Sequence, residues 1–212
     1  MSNTISKAPS KEIFKTPFSG TYWRLSFAEL KSVKALVLAA LFIALRIAIK
    51  SFKIPVADSL NVFFTFTANA LGSFLYGPVL GFISGCVCDT LSFMIKPSGP
   101  YNPVFMFIEG LGSFVFAIFL YRTKVTVLRL FLSKLAINVF CNILLTSYFL
   151  SLMYGKGIWV YMSGSITKNL LLLPIETAIL SVIFVVMLPI IKKAKVVPWV
   201  KDGILAAGVL GY

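Results

Sequence analysis

Six apolar stretches fill most of the chain, at roughly Ala35–Ser51, Asn61–Tyr76, Val79–Ile95, Pro103–Tyr121, Leu128–Leu152 and Ile166–Ile191. Segments of this length and polarity cross a bilayer as helices, because a helix satisfies its backbone N–H and C=O groups internally. Composition agrees: 58% of residues are hydrophobic and 13% charged, where a soluble domain carries about a quarter charged residues. The runs predict an all-α membrane protein, a six-helix transmembrane bundle over residues 35–195. Residues 1–34 read as a basic N-terminal tail without the apolar core of a signal peptide, and 196–212 as a C-terminal tail. With 212 residues, a second domain does not fit. Only Tyr76–Pro78 separates the second run from the third, which predicts a tight turn between antiparallel helices.

The net charge of +13 would suggest nucleic acid in a soluble chain. Here the cations gather at helix ends, so they report topology and no nucleic-acid partner is expected. One side receives Lys7, Lys11, Lys15, Arg24, Lys31, Lys34, Arg122, Lys124, Arg129, Lys134, Lys192, Lys193, Lys195 and Lys201. The other receives Lys50, Lys53, Lys96, Lys156 and Lys168. Both termini lie on the richer side, which the positive-inside rule assigns to the cytoplasm.

Polar residues inside apolar runs are costly in lipid and need partners. Arg46 and Lys168 fall near the outer ends of the first and sixth runs, and Asp89 and Glu109 in the outer halves of the third and fourth. Asn61, Thr65, Asn69 and Ser73 recur every fourth residue, as do Asn138, Asn142 and Thr146, so each set forms one polar stripe. In the stretch "SITKNLLLLPIE", Asn169 and Glu176 lie nearly on one helical face about 10 Å apart. These groups predict a polar pocket open to the outside. Asn69, Ser73, Asn138 and Glu176, at mid depth or below, read as interhelical hydrogen-bonding glue. Arg46, Lys168 and Asn169 read as ligand contacts, and Asp89 and Glu109 either as ligand contacts or as ion-pair partners of Arg46.

Small residues mark two further faces. Gly77, Gly81 and Gly85 lead to Asp89 along one side of the third run and predict close helix packing. In "AALFIALRIA", Ala40, Ala44 and Ala48 share a face roughly opposite Arg46. If Arg46 looks inward, that alanine face looks outward and can dock another membrane helix. Cys86, Cys88 and Cys141 show no CxxC spacing and read as packing residues, neither a disulfide framework nor a metal site. With no histidine, GxSxG, HExxH or P-loop, the sequence offers no hydrolytic, metal or ATPase centre. No cofactor is expected in this chain, and if it carries out transport that needs energy, another chain supplies it.

Several stretches carry a resemblance: "FTFTANALGSFLYGPVLGFISGCVCDTLSF", "PSGPYNP", "LYRTKVTVLRLFLSKLAINVFCNILLTSYFLSLMYGKG" and "KNLLLLPIE". With six helices and an AxxxA face, the chain resembles the substrate-binding S component of an energy-coupling factor (ECF) vitamin transporter, most closely the folate-specific branch. The resemblance implies a bacterial multi-pass cell-membrane protein that captures folate outside. It implies docking to a transmembrane coupling subunit and two ATPases, which use ATP and Mg, and tipping over to release the vitamin inside. Glu109, in "FIEG", is not a residue that branch leads one to expect. For folate, Arg46, Lys168 and Lys96 are candidate partners of the glutamate carboxylates. Asp89, Asn142 and Asn169 are candidates for the pterin edge, with Tyr101, Phe105 and Tyr148 covering the rings. An S component for another vitamin and a self-sufficient carrier or membrane enzyme remain as alternatives; no internal repeat favours the carrier.

Overall fold

The computed structural model describes residues 13–14, 17, 19–50, 53–57, 60–97 and 100–200. The elements are α1 (Gly20–Glu29), α2 (Val33–Lys50), β1 (Lys53–Ala57), β2 (Leu60–Phe63), α3 (Thr65–Ile95), α4 (Pro103–Leu120), α5 (Val127–Ala136), a π-helical segment (Ile137–Leu145), α6 (Thr146–Tyr154) and α7 (Ile158–Lys193). Among the described residues, four helical stretches are long and apolar enough to cross a membrane: α3, α4, α5 through α6, and α7. Taken as one span, the α1–α2 pair, bent by 75°, makes a fifth.

Helix α3 is not one straight rod. Gly77 takes φ 81° and ψ 179°, outside helical space, immediately before Pro78. Residues 73 and 81 of a straight helix would be about 12 Å apart; here Ser73 Oγ lies 3.6 Å from where a Gly81 Cβ would stand. The chain therefore doubles back at the Tyr76–Pro78 turn, and α3 supplies two legs of a six-legged bundle. Gly77 is required there, because its positive φ disfavours side-chain-bearing residues and the Tyr121 ring fills the space beside it. The second leg then packs on α4 at close range. A Cβ on Gly85 would come within 2.8 Å of the Glu109 carbonyl and the Gly110 Cα.

Three local signals set the helix ends. Asn102 Oδ1 accepts from Val104 N at 3.0 Å, with Pro103 opening α4. Thr126 Oγ1 accepts from Arg129 N at 3.1 Å and starts α5. Ser26 of α1 accepts from Val79 N at 3.2 Å, satisfying one of the orphan donors at the start of the second α3 leg.

The bundle is helical as expected, with one short hairpin before α3 that the sequence pattern does not foresee. Lys53–Phe63 and Ala57–Leu60 pair as an antiparallel hairpin with a register shift between Pro55 and Ala57. The second apolar run therefore begins as strand, and its helix starts only at Thr65. Ile54, Val56, Val62 and Phe63 favour a pleated strand, and a short apolar run reads alike as strand or helix.

Packing also reaches into both segments read as tails. Tyr22 and Ser26 of α1 are buried, and Tyr22 donates to the Ala117 carbonyl at 3.2 Å. After α7, Trp199 is fully buried with its ring 4.7 Å from Phe74 and 5.8 Å from Tyr121. Arg122, also buried, donates to Tyr121 Oη at 2.9 Å and lies 3.6 Å from Glu29. This aromatic and charged knot ties α1, the α4–α5 turn and the chain after α7 into one end of the bundle. The outer surface is apolar, with Leu41, Leu45, Val182, Val185 and Val186 exposed. Such a surface suits lipid and would be an aggregation liability in water.

Candidate functional site

A cavity of about 350 Å³ lies between the first leg of α3, α4, the α5–α6 stretch and α7. This volume falls within the range of small-molecule sites. Helix α7 contributes Ser165, Lys168, Asn169, Leu172 and Glu176, spaced to share one helical face. Thr65, Phe66 and Asn69 come from α3, and Glu109, Gly112 and Phe116 from α4. The facing wall is Lys134, Ile137, Cys141, Asn142 and Thr146.

An amide network lines the wall near Lys168. Asn142 Nδ2 donates to Asn138 Oδ1 at 3.1 Å and to Asn169 Oδ1 at 3.2 Å. Asn138 Nδ2 donates to the Asn169 backbone carbonyl at 3.1 Å, and Asn169 Nδ2 to the Ser165 carbonyl at 2.8 Å. With both Asn142 hydrogens engaged, its carbonyl oxygen is the group left to accept. The π-helical turn holds this wall in register: Thr146 Oγ1 donates to the carbonyl of Cys141, five residues back, at 2.9 Å. Such i to i+5 turns inside helices recur at functional sites.

The opposite end carries a buried ion pair. Lys134 Nζ is 3.2 Å from Glu176 Oε1, with 7% and 11% of their side chains exposed. The ammonium also sits 4.7 Å from the centre of the Phe66 ring, a favourable cation–π placement. Glu176 Oε2 is buried without a hydrogen-bond partner among the described residues.

The six residues singled out as ligand contacts do not all reach this cavity. Asn142, Lys168 and Asn169 line it together. Arg46 points into the bundle, 1% exposed, but its guanidinium is paired through Nη2 with Glu109, which stands on the cavity wall. Asp89 pairs with Lys50 at 3.9 Å rather than with Arg46. Tyr101, 42% exposed, shares a hydrogen bond with Thr90 at 3.2 Å and packs its ring 5.0 Å from Phe93, outside the cavity lining. Lys134, read from sequence as one of the cytoplasmic end charges, is instead a buried cavity residue. Glu176, read as glue, does bridge helices yet also faces the cavity. Ala40, Ala44 and Ala48 are all exposed on α2, opposite buried Arg46.

A larger cavity of about 470 Å³ lies at the other end, among Lys34, Lys192, Lys195, Leu38, Leu75 and Val197. Lys34 Nζ donates to the Lys195 carbonyl there at 3.1 Å. Its cations belong to the charged ends of the bundle, and it lacks the converging amides of the inner cavity.

The family described as ECF-type riboflavin transporter, S component, matches residues 30–196. The chain belongs to this S-component family. S components are the substrate-binding membrane subunits of ECF-type transporters, so the chain is a transport protein of the membrane rather than an enzyme. Among relatives, the folate transporter FolT of Clostridium novyi (strain NT) is 28% identical over 151 residues, 71% of this chain and 88% of that protein. A crystal structure of FolT bound with folic acid matches with a TM-score of 0.63 and 26% identity, covering 71% of this chain and 92% of that one.

Proposed function

We propose that this S component captures folate from outside a bacterial cell and holds it in the inner cavity. The observation that carries the reading is the pairing of Lys168 and the Asn142–Asn169 amides at one end with a buried carboxylate at the other. At the first end Lys168 matches a carboxylate of the glutamate tail, and the Asn142 carbonyl oxygen matches the amide N–H that links the tail. A ring edge rich in N–H donors matches the second. Lys168, Asn142 and Asn169 are assigned to the ligand. Arg46 acts behind Glu109, and Asp89 and Tyr101 belong to the outer end of the α3–α4 hairpin. The relative crystallised with folic acid supports the choice of vitamin.

The family's description favours a second reading, riboflavin. Riboflavin is uncharged, and a cavity for it has no evident use for Lys168 at the mouth. Titration calorimetry of the purified chain with folic acid and with riboflavin separates the two: heat with folic acid and none with riboflavin is the expected result.

In this reading the lysine-rich ends and both termini face the cytoplasm. The alanine face of α2 docks a transmembrane coupling subunit, and two ATPases using ATP and Mg supply the energy. The small side chains allow the close helix approach that such docking needs.

A further inference from the structure

The deep end of the cavity presents a carboxylate with unused capacity. An ionised carboxylate offers about four acceptor positions, yet Glu176 has a single described partner, Lys134, on Oε1. Its Oε2 is buried and has none among the described residues. A buried acceptor left unmet is costly, so whatever fills the cavity gains by bringing donors to it. Rotation about the terminal side-chain bond exchanges the two oxygens, so either can be offered to the cavity. Lys134 stands beside the carboxylate and is itself held over Phe66. Lys168 stands eight residues away on the same helix, about 12 Å along the axis, which leaves a ring system room between the two ends.

We infer that Glu176, backed by Lys134, is the group that reads the 2-amino-4-oxo edge of the pterin and rejects the flavin edge. This rests on the folate reading above. The pterin edge sets an N3–H beside a 2-amino group, two adjacent donors that match the two oxygens of one carboxylate. The flavin edge sets its single N3–H between two carbonyls. Those carbonyl oxygens would face the carboxylate as acceptor against acceptor, and a site built for donors discriminates strongly against a ligand lacking them. Glu176 would thus set specificity within a family described by riboflavin.

The test uses the full-length chain in detergent and titration calorimetry with folic acid and its 2-deamino-2-oxo analogue, which replaces the amino donor by a carbonyl. The wild-type chain should prefer folic acid by about tenfold or more. Glu176→Gln should weaken folic acid about 10- to 100-fold while changing the analogue far less, so that the preference collapses. Equal affinity of the wild type for both ligands overturns the inference, as does equal loss of both in the variant. Should Glu176→Gln strand Lys134 and fail to fold, the Lys134→Met/Glu176→Gln double variant removes both charges and is read the same way. A wild-type chain that binds no folic acid at all overturns the folate reading instead, so the two failures are distinct.

Discussion

Arg46 of α2 and Glu109 of α4 form an ion pair whose two halves sit in different surroundings: the guanidinium is 1% exposed and the carboxylate 44%. Removing either partner breaks the same contact, but what remains differs. Glu109→Gln leaves a buried guanidinium whose Nε and Nη1 already have no described partner. The cost should approach the ~3 kcal/mol seen when a buried charge loses its counterion. Arg46→Met leaves a carboxylate that the aqueous cavity can solvate, and should cost clearly less. Chemical unfolding of both variants in detergent checks the order; a larger loss for Arg46→Met would refute it.

Lys168 should report on the glutamate tail alone. Replacing it by Ala removes a charge-assisted contact of about 1.5–3 kcal/mol. Folic acid should lose that affinity, whereas pteroate, which lacks the glutamate, should lose little. Calorimetric titration of both ligands against Lys168→Ala decides it, and equal losses would remove Lys168 from the tail.

The contact between α3 and α4 leaves no room for a methyl group. At Gly85 a Cβ would meet the Glu109 carbonyl and Gly110 Cα at 2.8 Å, and backbone atoms cannot swing aside as a side-chain tip can. Gly85→Ala should destabilise the bundle by about 1–3 kcal/mol. Gly164→Ala, with nothing within 4 Å of the new methyl, is the matched control and should be nearly neutral. Thermal unfolding of the two variants side by side gives the comparison.

The parts of this architecture that were legible in sequence share one cause: in lipid a polar side chain must face inward, and helical period then fixes its neighbours. Arg46 inside and Ala40, Ala44 and Ala48 outside follow from that rule, as does the inward turn of Asn142 and Asn169. The turn at Gly77 was readable from its neighbour Pro78. The rule supplies depth along a helix but not which helix lies opposite, so Asp89 found Lys50 where Arg46 was the partner expected. Lys134 was hidden because it follows Arg129 near the end of a run, where a lysine ordinarily marks the interface. The hairpin before α3 was hidden by the apolar run it shares with that helix, and α1 by its charged neighbours.

Binding and transport should separate at the alanine face. Ala40 and Ala44 lie one turn apart on α2, exposed, while Arg46 occupies the buried side of the same helix. A tryptophan at either position therefore projects away from the cavity and toward whatever packs on α2 in the assembled transporter. Folate affinity of the isolated chain should stay within about 0.5 kcal/mol of wild type, as for other surface changes remote from a site. Close approach of a coupling helix depends on the missing side-chain volume, so uptake by cells carrying the complete transporter should collapse. Paired measurements of folic acid binding and radiolabelled folate uptake on Ala40→Trp and Ala44→Trp test this. Normal uptake in both would show that nothing docks there, because a lipid-facing tryptophan is tolerated; lost binding would instead place the face in the interior of the bundle.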